Sequence, residues 1–487
     1  MMRSMFSGVS GLRAHQLKMD VIGNNIANVN TVGFKGQRAT FQEVFSQTIK
    51  GAGSPQLGRG GTNPQQIGLG ISLSSIDTFH VRGAVQRTDN NTDLAINGDG
   101  FFILSNSNDF LSRSFTRAGN FTLDEVGNLV ASNGYRVLGY MEDEARNPAP
   151  DGSTVLKGVL EGLTISKSKS FPAMSTDRAT MEGNLDNNLA RVPIYKSDGI
   201  TDAVPADYIS YNSTDKTLEY AGGIKPRETT SVFYDSLGGQ HKVKFMFVRG
   251  VADAGALGKD SEWAVIVQNL EDMSYFKADG SIVSTDSTNA EYLDLTDPTN
   301  LTNILIPIKF DSDGNMITDG SDNTISKLDL QMKGKNGSGD FKVEVNFQGI
   351  NQFANDSTAS VTNKSGYPQG YLDTFSIGPT GEINAIFTNG QSRIIGQVAL
   401  AAFKNPAGLE KTSENMYQNT PNSGEAIYGL PGSSGLGALN PGTLEMSNVD
   451  ISREFTEMIS TQRGFQANSR IITTSDEMLQ ELVNMKR

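Results

Sequence analysis

The sequence contains no cysteine in 487 residues, which excludes a disulfide framework and a thiolate metal site. It also contains no run of about 18 apolar residues, so we predict no membrane insertion. The first eight residues, Met1 to Gly8, lack the continuous apolar core of a secretory signal. If the protein is exported, we expect it to leave the cell by another route, with either Met1 or Met2 as its first residue.

Positive charge is in short supply, with 41 Lys and Arg against 54 Asp and Glu and a formal net charge of -13. Nucleic acid is therefore disfavoured as a ligand, because phosphate binding needs clustered basic side chains. The first 50 residues run against this trend, since they carry six basic and two acidic side chains. The acidic surplus must lie in the middle of the chain, which we expect to face solvent.

Metal ligands are also scarce. The three histidines, His15, His80 and His241, are far apart in the sequence and have no neighbouring ligands at metal-site spacing, so we predict no zinc site. The segment 311–315 resembles the opening of a calcium loop, but Met316 stands where such a loop needs glycine. A hairpin turn explains this segment better.

No catalytic pattern emerges from the remaining residues. The glycine clusters at 58–61 and 98–100 lack the strand–loop–helix context and the Lys-Ser/Thr ending of a phosphate-binding loop. Carboxylates are abundant, but no spacing identifies a catalytic pair. We therefore predict a protein without enzymatic activity and without cofactors.

What the sequence has in abundance is glycine, with 52 residues against 16 prolines, together with many Asn, Asp, Ser and Thr. This composition favours short strands joined by tight turns and predicts an all-β centre. Four segments combine apolar strands with a turn that contains glycine, which is typical of β-hairpins. These segments are 121–129, 233–239, 308–316 and 375–383.

Both ends of the chain show apolar residues at seven-residue spacing, which predicts helices with coiled-coil-like stripes. Two such helices are too polar to be stable alone, so we expect them to be largely disordered in the monomer and to order when other subunits surround them. They are the predicted polymerisation interface. Its residues are Met5, Leu12, Met19, Ile22, Ile26 and Val29 at the start, and Ile451, Met458, Phe465, Ile472, Leu479 and Leu482 at the end.

The helix bounds can be predicted from the flanking residues. The first helix should end within 28–33, where Asn and Gly supply left-handed backbone geometry. Ser447 and Asp450 have capping-box spacing, which predicts the start of a second helix of some 40 residues, or roughly 60 Å at about 1.5 Å per residue.

One polar, glycine-rich stretch follows the first helix and another precedes the second. This arrangement predicts nested layers. We expect the helical pair at 1–30 and 447–487, extended linkers at 31–70 and 427–446, and a middle β domain at 71–148 and 366–426. The insertion at 149–365 is expected to form an outer β domain of one or two subdomains. The predicted fold class is thus mixed and mainly β, with long terminal helices that form a coiled coil and central all-β domains nested by insertion.

Several segments resemble the flagellar rod and hook protein family. The stretch 23–35 looks like its N-terminal signature, 93–102 and 115–121 are similar to its next block, and 447–470 matches its C-terminal signature. The length of the central insertion favours the hook members. The residues that carry the resemblance most specifically are Asn24, Asn25, Asn28, Asn30, Gly33, Phe34, Gln462, Arg463, Gly464 and Phe465.

The resemblance implies a structural subunit that polymerises with itself into a flexible curved tube, the universal joint of the flagellum. It implies paired terminal helices around a central channel, and export through the flagellar type III apparatus to an extracellular location. It also implies contacts with a hook cap protein, the distal rod and the hook–filament junction proteins.

Three other interpretations stay open at this point. A distal rod protein with an enlarged insertion would build a straight tube. A secreted adhesin would act without polymerisation. An exported hydrolase would show a cleft that contains a carboxylate of raised pKa.

Overall fold

A computed structural model of the chain describes residues 2–55, 58, 60–143, 154–189, 209–212, 217–220, 225–250, 261–284, 295, 304–317, 325–433 and 435–485. The chain divides into two compact units. The first contains residues 1–169, 372–386 and 392–487, and the second contains residues 170–371 and 387–391. The architecture is mainly β with one long helix at each end, as the sequence predicts.

Helix α1 spans Met2–Ala27 and helix α2 spans Ile451–Asn484. The predicted end of α1 is confirmed. For α2 the predicted cap is wrong: the cap is Asp450, whose carboxylate accepts hydrogen bonds from the Ser452 and Arg453 amides at 2.9 and 3.3 Å. Ser447 instead accepts a weak bond from the Val449 amide. The helix has 34 residues, so it is roughly 51 Å long.

The strands of the first unit come from both halves of the chain. The N-terminal ones are β1 (Gln37–Glu43), β2 (Ser46–Lys50), β3 (Gln65–Gly68), β4 (Ile71–Thr78), β5 (Val85–Arg87), β6 (Leu94–Asn97), β7 (Phe101–Ser105), β8 (Ser114–Thr116), β9 (Phe121–Leu123), β10 (Leu129–Ala131), β11 (Arg136–Met141) and β12 (Glu161–Gly162).

The strands of the second unit are β13 (Ser170–Phe171), β14 (Arg178–Asp186), β15 (Ile209–Asn212), β16 (Thr217–Tyr220), β17 (Arg227–Tyr234), β18 (Gln240–Arg249), β19 (Ser261–Asn269), β20 (Tyr275–Phe276), β21 (Ile282–Val283), β22 (Ile306–Phe310), β23 (Lys327–Met332), β24 (Phe341–Phe353) and β25 (Ser360–Lys364). Strands β26 (Gly370–Ile377) and β27 (Glu382–Phe387) run across the unit boundary.

The chain then returns to the first unit. Its strands there are β28 (Ser392–Val398), β29 (Leu400–Ala402), β30 (Glu410–Lys411), β31 (Met416–Gln418), β32 (Ile427–Gly429), β33 (Ala438–Pro441) and β34 (Thr443–Glu445). A short 3-10 helix, Pro406–Gly408, precedes β30. The main sheet of this unit runs in the order β26-β27-β28-β11-β7-β8-β31-β30. Its core is aromatic, with Phe101, Phe115 and Tyr417 buried around Phe403.

The segments predicted to be extended linkers are folded as strands instead. β1 pairs antiparallel with β4 and β2 with β3, so residues 37–78 form a long two-stranded hairpin. The glycine- and proline-rich stretch lies at the closed end of this hairpin, where Gly53 pairs with Thr62. In the second predicted linker, β33 pairs with β6 and β34 pairs with β5. The low apolar content of both segments predicted extended linkers without strand pairing. Strand pairing is nevertheless possible, because its hydrogen bonds need only backbone groups.

The second unit is a pair of sheets that share one core. A sheet ordered β17-β18-β19-β20-β21, with β22 beside β19, faces a sheet ordered β23-β24-β14-β25. Large side chains from both sheets are buried between them, among them Phe245, Trp263 and Phe347. The other face of β18 and β19 packs on the β15–β16 hairpin through Met246 and Ile266. Because successive side chains of a strand point to opposite faces, both faces of these strands can be apolar.

The unit boundary lies about 20 residues later than the predicted one at 149, since β12 pairs with β11. The four predicted hairpins are confirmed: β9 pairs with β10, β17 with β18 and β26 with β27, and Phe310 bridges to Met316. In the last of these turns the Asp311 carboxylate accepts from the Asp313 and Asn315 amides, as expected of a turn.

Candidate functional site: the terminal helices and their junction with the strands

The two terminal helices lie against each other in antiparallel orientation. Gly11 is level with Asn468, and His15 is level with Gly464. A Cβ atom on Gly11 would lie 2.8 Å from the Asn468 side-chain nitrogen, and one on Gly464 would lie 2.7 Å from the His15 ring. A larger residue at either glycine would therefore require the Asn468 or His15 side chain to move. Lys18 and Glu457, 3.4 Å apart, form an ion pair along the same line.

At the line of contact between the helices, which we call the seam, small and polar side chains lie beside larger apolar ones: Gly8 faces Ile472, and Gly11 faces Asn468. The buried side chains of the two helices include Ala14, Ile22 and Asn25 on α1 and Thr461 and Ser475 on α2. Small side chains bring the helix backbones together but remove little apolar surface from water. These small side chains therefore contribute little to the stability of the helix pair.

Of the apolar stripes predicted from the sequence, Ile472 lies in this seam, where a Cβ atom on Gly8 would be 3.4 Å from its side chain. Ile22 is buried within the subunit and Ile451 is exposed. The side chain of Leu482 lies outside the described residues. The other predicted interface residues, Met5, Leu12, Met19, Ile26, Val29, Met458, Phe465, Ile472 and Leu479, are all half-buried. Their role in polymerisation stays a prediction.

Large apolar side chains that are not among the predicted interface residues are exposed on both helices. They cover other faces of α1 and α2, so the helices are apolar on several sides. A helix of this kind is normally buried by neighbours. Apolar residues outside the seven-residue stripes were the signal in the sequence. These exposed residues are Phe6, Val9, Leu17, Phe455, Ile459, Ile471, Met478, Val483 and Met485.

The hairpin after α1 adds a second exposed apolar surface. Strands β2 and β3 pair only with each other among the described residues, and Phe45, Ile49 and Ile67 on or beside them are exposed. A two-stranded hairpin is marginally stable in water. This hairpin, like the helices, has apolar surface that a neighbouring molecule would cover.

A buried cluster of charges joins the chain ends to the β strands. The Lys35 ammonium lies 2.6 Å from one carboxylate oxygen of Glu445, and Arg117 lies 3.5 Å from the other. The Gly83 amide donates to the same carboxylate, and Lys35 also donates to the Val81 carbonyl. Burial lowers the pKa of Lys35 and of Arg117, while the Glu445 charge acts to raise both. The cluster thus ties the segment after α1 to strand β34, which precedes α2, and to the strands around Arg117.

His80 sits beside this cluster. Its ring contacts Phe101 and Tyr417 edge-on, with centroids 5.6 and 5.4 Å apart. Burial, reinforced by the nearby Lys35 and Arg117 cations, lowers its pKa to about 4, and its Nδ1 has no hydrogen-bond partner among the described residues. Burial also raises the pKa of Tyr417 to about 12. The imidazole is therefore neutral at physiological pH.

Several residues of the N-terminal signature shape the turn after α1. Gly33 has a φ of +68°, and a Cβ atom there would lie 2.5 Å from the Ala118 amide nitrogen. Asn25 exchanges two hydrogen bonds with the Gln37 backbone, and Asn28 bonds back to Asn24. Phe34 is buried, with the Lys411 ammonium 4.3 Å from its ring centre. These residues hold α1 against the strands.

The other signature residues are not gathered at this turn. Asn24 and Asn30 are exposed near the end of α1, and Gln462 and Arg463 are exposed on α2. Gly464 and Phe465 lie next to them on the seam side. Asn448 lies in the C-terminal signature segment and is closer to the junction. Its side-chain oxygen accepts from the Gly36 amide, and its side-chain nitrogen donates to the Phe79 and Val81 carbonyls.

The remaining histidine belongs to the second unit. His241 is buried between Asp235 and Glu271, at 3.4 and 3.3 Å from its two ring nitrogens, and Lys335 pairs with Glu271. The two carboxylates approach different nitrogens, so they do not converge on a common point. In the part of the chain that the structure describes, no group of three or more His, Cys, Asp or Glu side chains is arranged to hold a metal.

Neither α1 nor α2 is long and apolar enough to cross a membrane, and the same holds for every helix among the described residues.

Four family models match consecutive parts of the chain. Residues 5–35 match "Flagella basal body rod protein", 95–169 match "Flagellar hook protein FlgE/F/G D1 domain", 205–367 match "Flagellar basal body protein FlaE D2 domain", and 440–485 match "Flagellar basal body rod FlgEFG protein C-terminal". The first and last of these include α1 and α2.

Curated relatives match over their whole length. The flagellar hook protein FlgE of Borreliella burgdorferi is 38% identical, with 100% of both chains covered. The flagellar hook protein FlgE of Treponema pallidum is 37% identical, again with 100% of both chains covered. The flagellar basal-body rod protein FlgG of Bacillus subtilis is 28% identical over 100% of both chains.

Proposed function

Since this chain belongs to the flagellar hook protein family, we propose that it is a structural subunit of the flagellar hook. It polymerises with itself into a flexible curved tube that transmits torque from the rod to the filament and so supports motility. It carries out no enzymatic reaction and needs no cofactor.

The observation that carries this proposal is the exposed apolar surface of the paired terminal helices. Phe6, Phe455 and Ile459 project from helices whose seam includes small and polar side chains. Burial of each such side chain stabilises an assembly by about 1.5–3 kcal/mol. Other copies of the chain are the partners that remove this surface from water, which makes the helices the inner, coiled-coil-like layer of the tube.

Bending requires weaker contacts elsewhere. The charged surface of the second unit suits this, because exposed ion pairs such as Lys327–Glu344 contribute only about 0–1 kcal/mol each. Contacts of this strength between neighbouring copies break and form again as the tube rotates. The helices resist twisting while the β units slide.

The further partners are those of a hook subunit. The tube contacts the distal rod at one end and the hook–filament junction proteins at the other, and a hook cap protein guides its growth. The subunit reaches its extracellular position through the flagellar type III export apparatus without a cleaved signal peptide. The acidic surface gives it no affinity for nucleic acid.

The test is negative-stain electron microscopy under polymerising salt. Full-length protein is compared with a variant that lacks residues 1–30 and 447–487 and with Phe6→Ser/Phe455→Ser, which leaves the chain intact. Curved tubes from the full-length protein alone support the proposal. Compact monomers from all three samples contradict it.

The rod relative supports one alternative, a distal rod subunit. A rod subunit builds a straight tube, whereas a hook subunit builds a curved one. The curvature of the tubes in the same micrographs therefore separates the two functions.

A further inference from the structure

Asparagine is followed directly by glycine at four places in the sequence, 97–98, 133–134, 336–337 and 389–390. The two residues of such a pair can react with each other, because the glycine backbone nitrogen can attack the side-chain amide carbon of the asparagine. Glycine has no Cβ atom to obstruct this attack. Since all four pairs are the same dipeptide, their structural surroundings decide which of them reacts in the folded chain.

The pair at 133–134 is held by hydrogen bonds at both reacting groups. The Asn133 side-chain oxygen accepts from the Tyr135 amide at 3.1 Å. The Gly134 amide, which would be the attacking group, donates to the Ala131 carbonyl at 2.8 Å. Both bonds must open before the two groups can meet.

The pair at 389–390 is held in the same way. The Asn389 side-chain oxygen accepts from the Gln391 amide at 3.1 Å, and its side-chain nitrogen donates to the Pro368 carbonyl at 3.0 Å. The Gly390 amide donates to the Phe387 carbonyl at 2.9 Å. This pair is therefore also protected from the reaction.

The pair at 97–98 is fixed by a side-chain partner and by close packing. Asn97 is the last residue of β6, and its side-chain oxygen accepts from Arg82. The Gly98 carbonyl accepts from Arg117 at 2.9 Å, and a Cβ atom on Gly98 would lie 2.8 Å from the Gly437 Cα. The backbone here has little room to rearrange.

The pair at 336–337 lies in the loop between β23 and β24 and is held by none of these contacts. Asn336 and Gly337 have φ values of +51° and +90°, and the Ser338 amide donates to the Lys335 carbonyl at 2.9 Å, as in a type I′ turn. The flanking residues thus make the turn's hydrogen bond. Both central residues are exposed, and in the part of the chain that the structure describes neither the Asn336 side chain nor the Gly337 amide is hydrogen-bonded.

Hydrogen bonding, and not crowding, separates this pair from the two held by turns. A Cβ atom on Gly134, Gly337 or Gly390 would meet no atom within 4 Å. All three glycines therefore have open space beside them, and only at Gly337 are both reacting groups free to meet without the loss of a hydrogen bond.

We propose that Asn336 is a site of spontaneous covalent modification, at which it is converted to aspartate or isoaspartate. The Gly337 nitrogen gives up its proton and bonds to the side-chain amide carbon of Asn336. The bond between that carbon and the side-chain nitrogen breaks, the nitrogen leaves with the proton as ammonia, and a cyclic imide remains. Water then opens the imide. Attack on the side-chain carbonyl gives aspartate, attack on the backbone carbonyl gives isoaspartate, and nothing is oxidised or reduced.

Either product places a new negative charge on this turn. The neighbouring Lys335 ammonium already pairs with Glu271 and donates to the Gln240 carbonyl at 3.0 Å. Isoaspartate also lengthens the backbone by a methylene group, so the turn closed by the Ser338 amide cannot keep its geometry. The modification therefore changes both the charge and the shape of an exposed turn of the second unit.

The first test uses the wild-type chain. Folded protein and urea-unfolded protein are incubated at mildly alkaline pH, and peptide mapping by mass spectrometry follows the replacement of amide by acid at each of the four pairs. In the folded protein we expect Asn336 to react at least about tenfold faster than Asn133 and Asn389, because hydrogen bonds must open before those two react. In urea we expect similar rates at all pairs.

Three results would overturn the proposal. They are equal rates at the three pairs of the folded protein, an Asn336 that stays intact there while it reacts in urea, and an equal preference for Asn336 in urea, which would assign the selectivity to sequence alone. The reaction does not require assembly, so none of these results bears on the proposed function.

A second measurement follows the charge of the whole chain. Isoelectric focusing of aged folded protein should show a new acidic band in the wild type and its loss in Asn336→Gln, since the longer side chain closes an imide ring less readily. Asn363→Gln is the matched control, because Asn363 is an exposed asparagine of the same unit that is not followed by glycine. We expect the band to remain in the control. An acidic band that persists in Asn336→Gln contradicts the proposal.

Discussion

The core of the second unit and the seam between the terminal helices use opposite kinds of residue. The core packs Phe245, Trp263 and Phe347 between two sheets, and all three are buried. The seam packs Gly11 and Gly464 against polar partners and leaves Phe455 exposed. One region completes its burial within a single chain. The other completes it only in an assembly, so its stability depends on protein concentration.

The largest contrast comes from the same substitution in the two regions. Phe245→Ala should lower the free energy of unfolding of the second unit by about 3–5 kcal/mol, because it empties a fully buried site. Trp263 is the only tryptophan in the sequence, so its fluorescence during urea unfolding reports on this core.

Phe455→Ala should leave that unfolding midpoint unchanged, since Phe455 is 48% exposed on α2. It should instead raise the critical concentration for assembly severalfold, because assembly buries the exposed half of a side chain whose full burial is worth about 1.5–3 kcal/mol. Equal unfolding midpoints for the two variants, or unchanged assembly of Phe455→Ala, would remove the contrast.

The buried ion cluster gives the next effect. Glu445→Gln leaves Lys35 and Arg117 without their carboxylate, and an unpaired buried charge costs about 3–5 kcal/mol. Thermal unfolding followed by far-ultraviolet circular dichroism measures the loss. Glu410→Gln is the matched control, because Glu410 is an exposed carboxylate in the same unit, and we expect a change within about 0.5 kcal/mol. Similar losses for both would show that the cluster contributes no special stability.

His80 predicts a smaller, pH-dependent effect. Its pKa is about 4 in the folded chain against about 6.5 when unfolded, so the unfolded state takes up the proton first as pH falls. The stability is complete above about pH 6.5 and decreases between about pH 6.5 and 4, by about 2 kcal/mol once the ring's partial exposure is considered. His80→Gln should flatten urea-unfolding stability over this range. The same slope in both proteins would contradict this role.

The cap of α2 gives the smallest effect. Asp450→Ala removes the acceptor of the Ser452 and Arg453 amides and should destabilise the start of α2 by about 1 kcal/mol. Asp450→Asn should restore most of it, and Ser447→Ala should have less effect. Nuclear magnetic resonance of the first-turn amides in assembled, selectively labelled protein would show which residue caps the helix; a larger effect of Ser447→Ala would reverse the assignment.

Patterns that repeat over short distances could be predicted from the sequence. The two helices follow from apolar spacing, and the turns at Gly127, Gly238 and Gly381 follow from glycines that have positive φ. Family membership follows from short signatures that local geometry explains, such as Gly33 beside Ala118.

What could not be predicted depends on residues far apart in the chain. Lys35 and Glu445 are 410 positions apart, and nothing near either residue indicates the other. The hairpin of β2 and β3 was missed because each strand has a single apolar residue, Ile49 or Ile67, and the strands are joined by backbone pairing. The contacts of Gly11 with Asn468 and of Gly464 with His15 also join residues from opposite ends of the chain, and no local pattern indicates them.

The central claim is that the terminal helices are completed by other copies of the chain. Amide hydrogen exchange of residues 2–27 and 451–484, measured in dilute monomer and in assembled tubes, tests it most directly. We expect fast exchange in the monomer, slow exchange in the tubes, and slow exchange of β18 and β19 in both. Slow exchange of both helices in dilute monomer would contradict the claim, because the seam alone would then be sufficient to hold them.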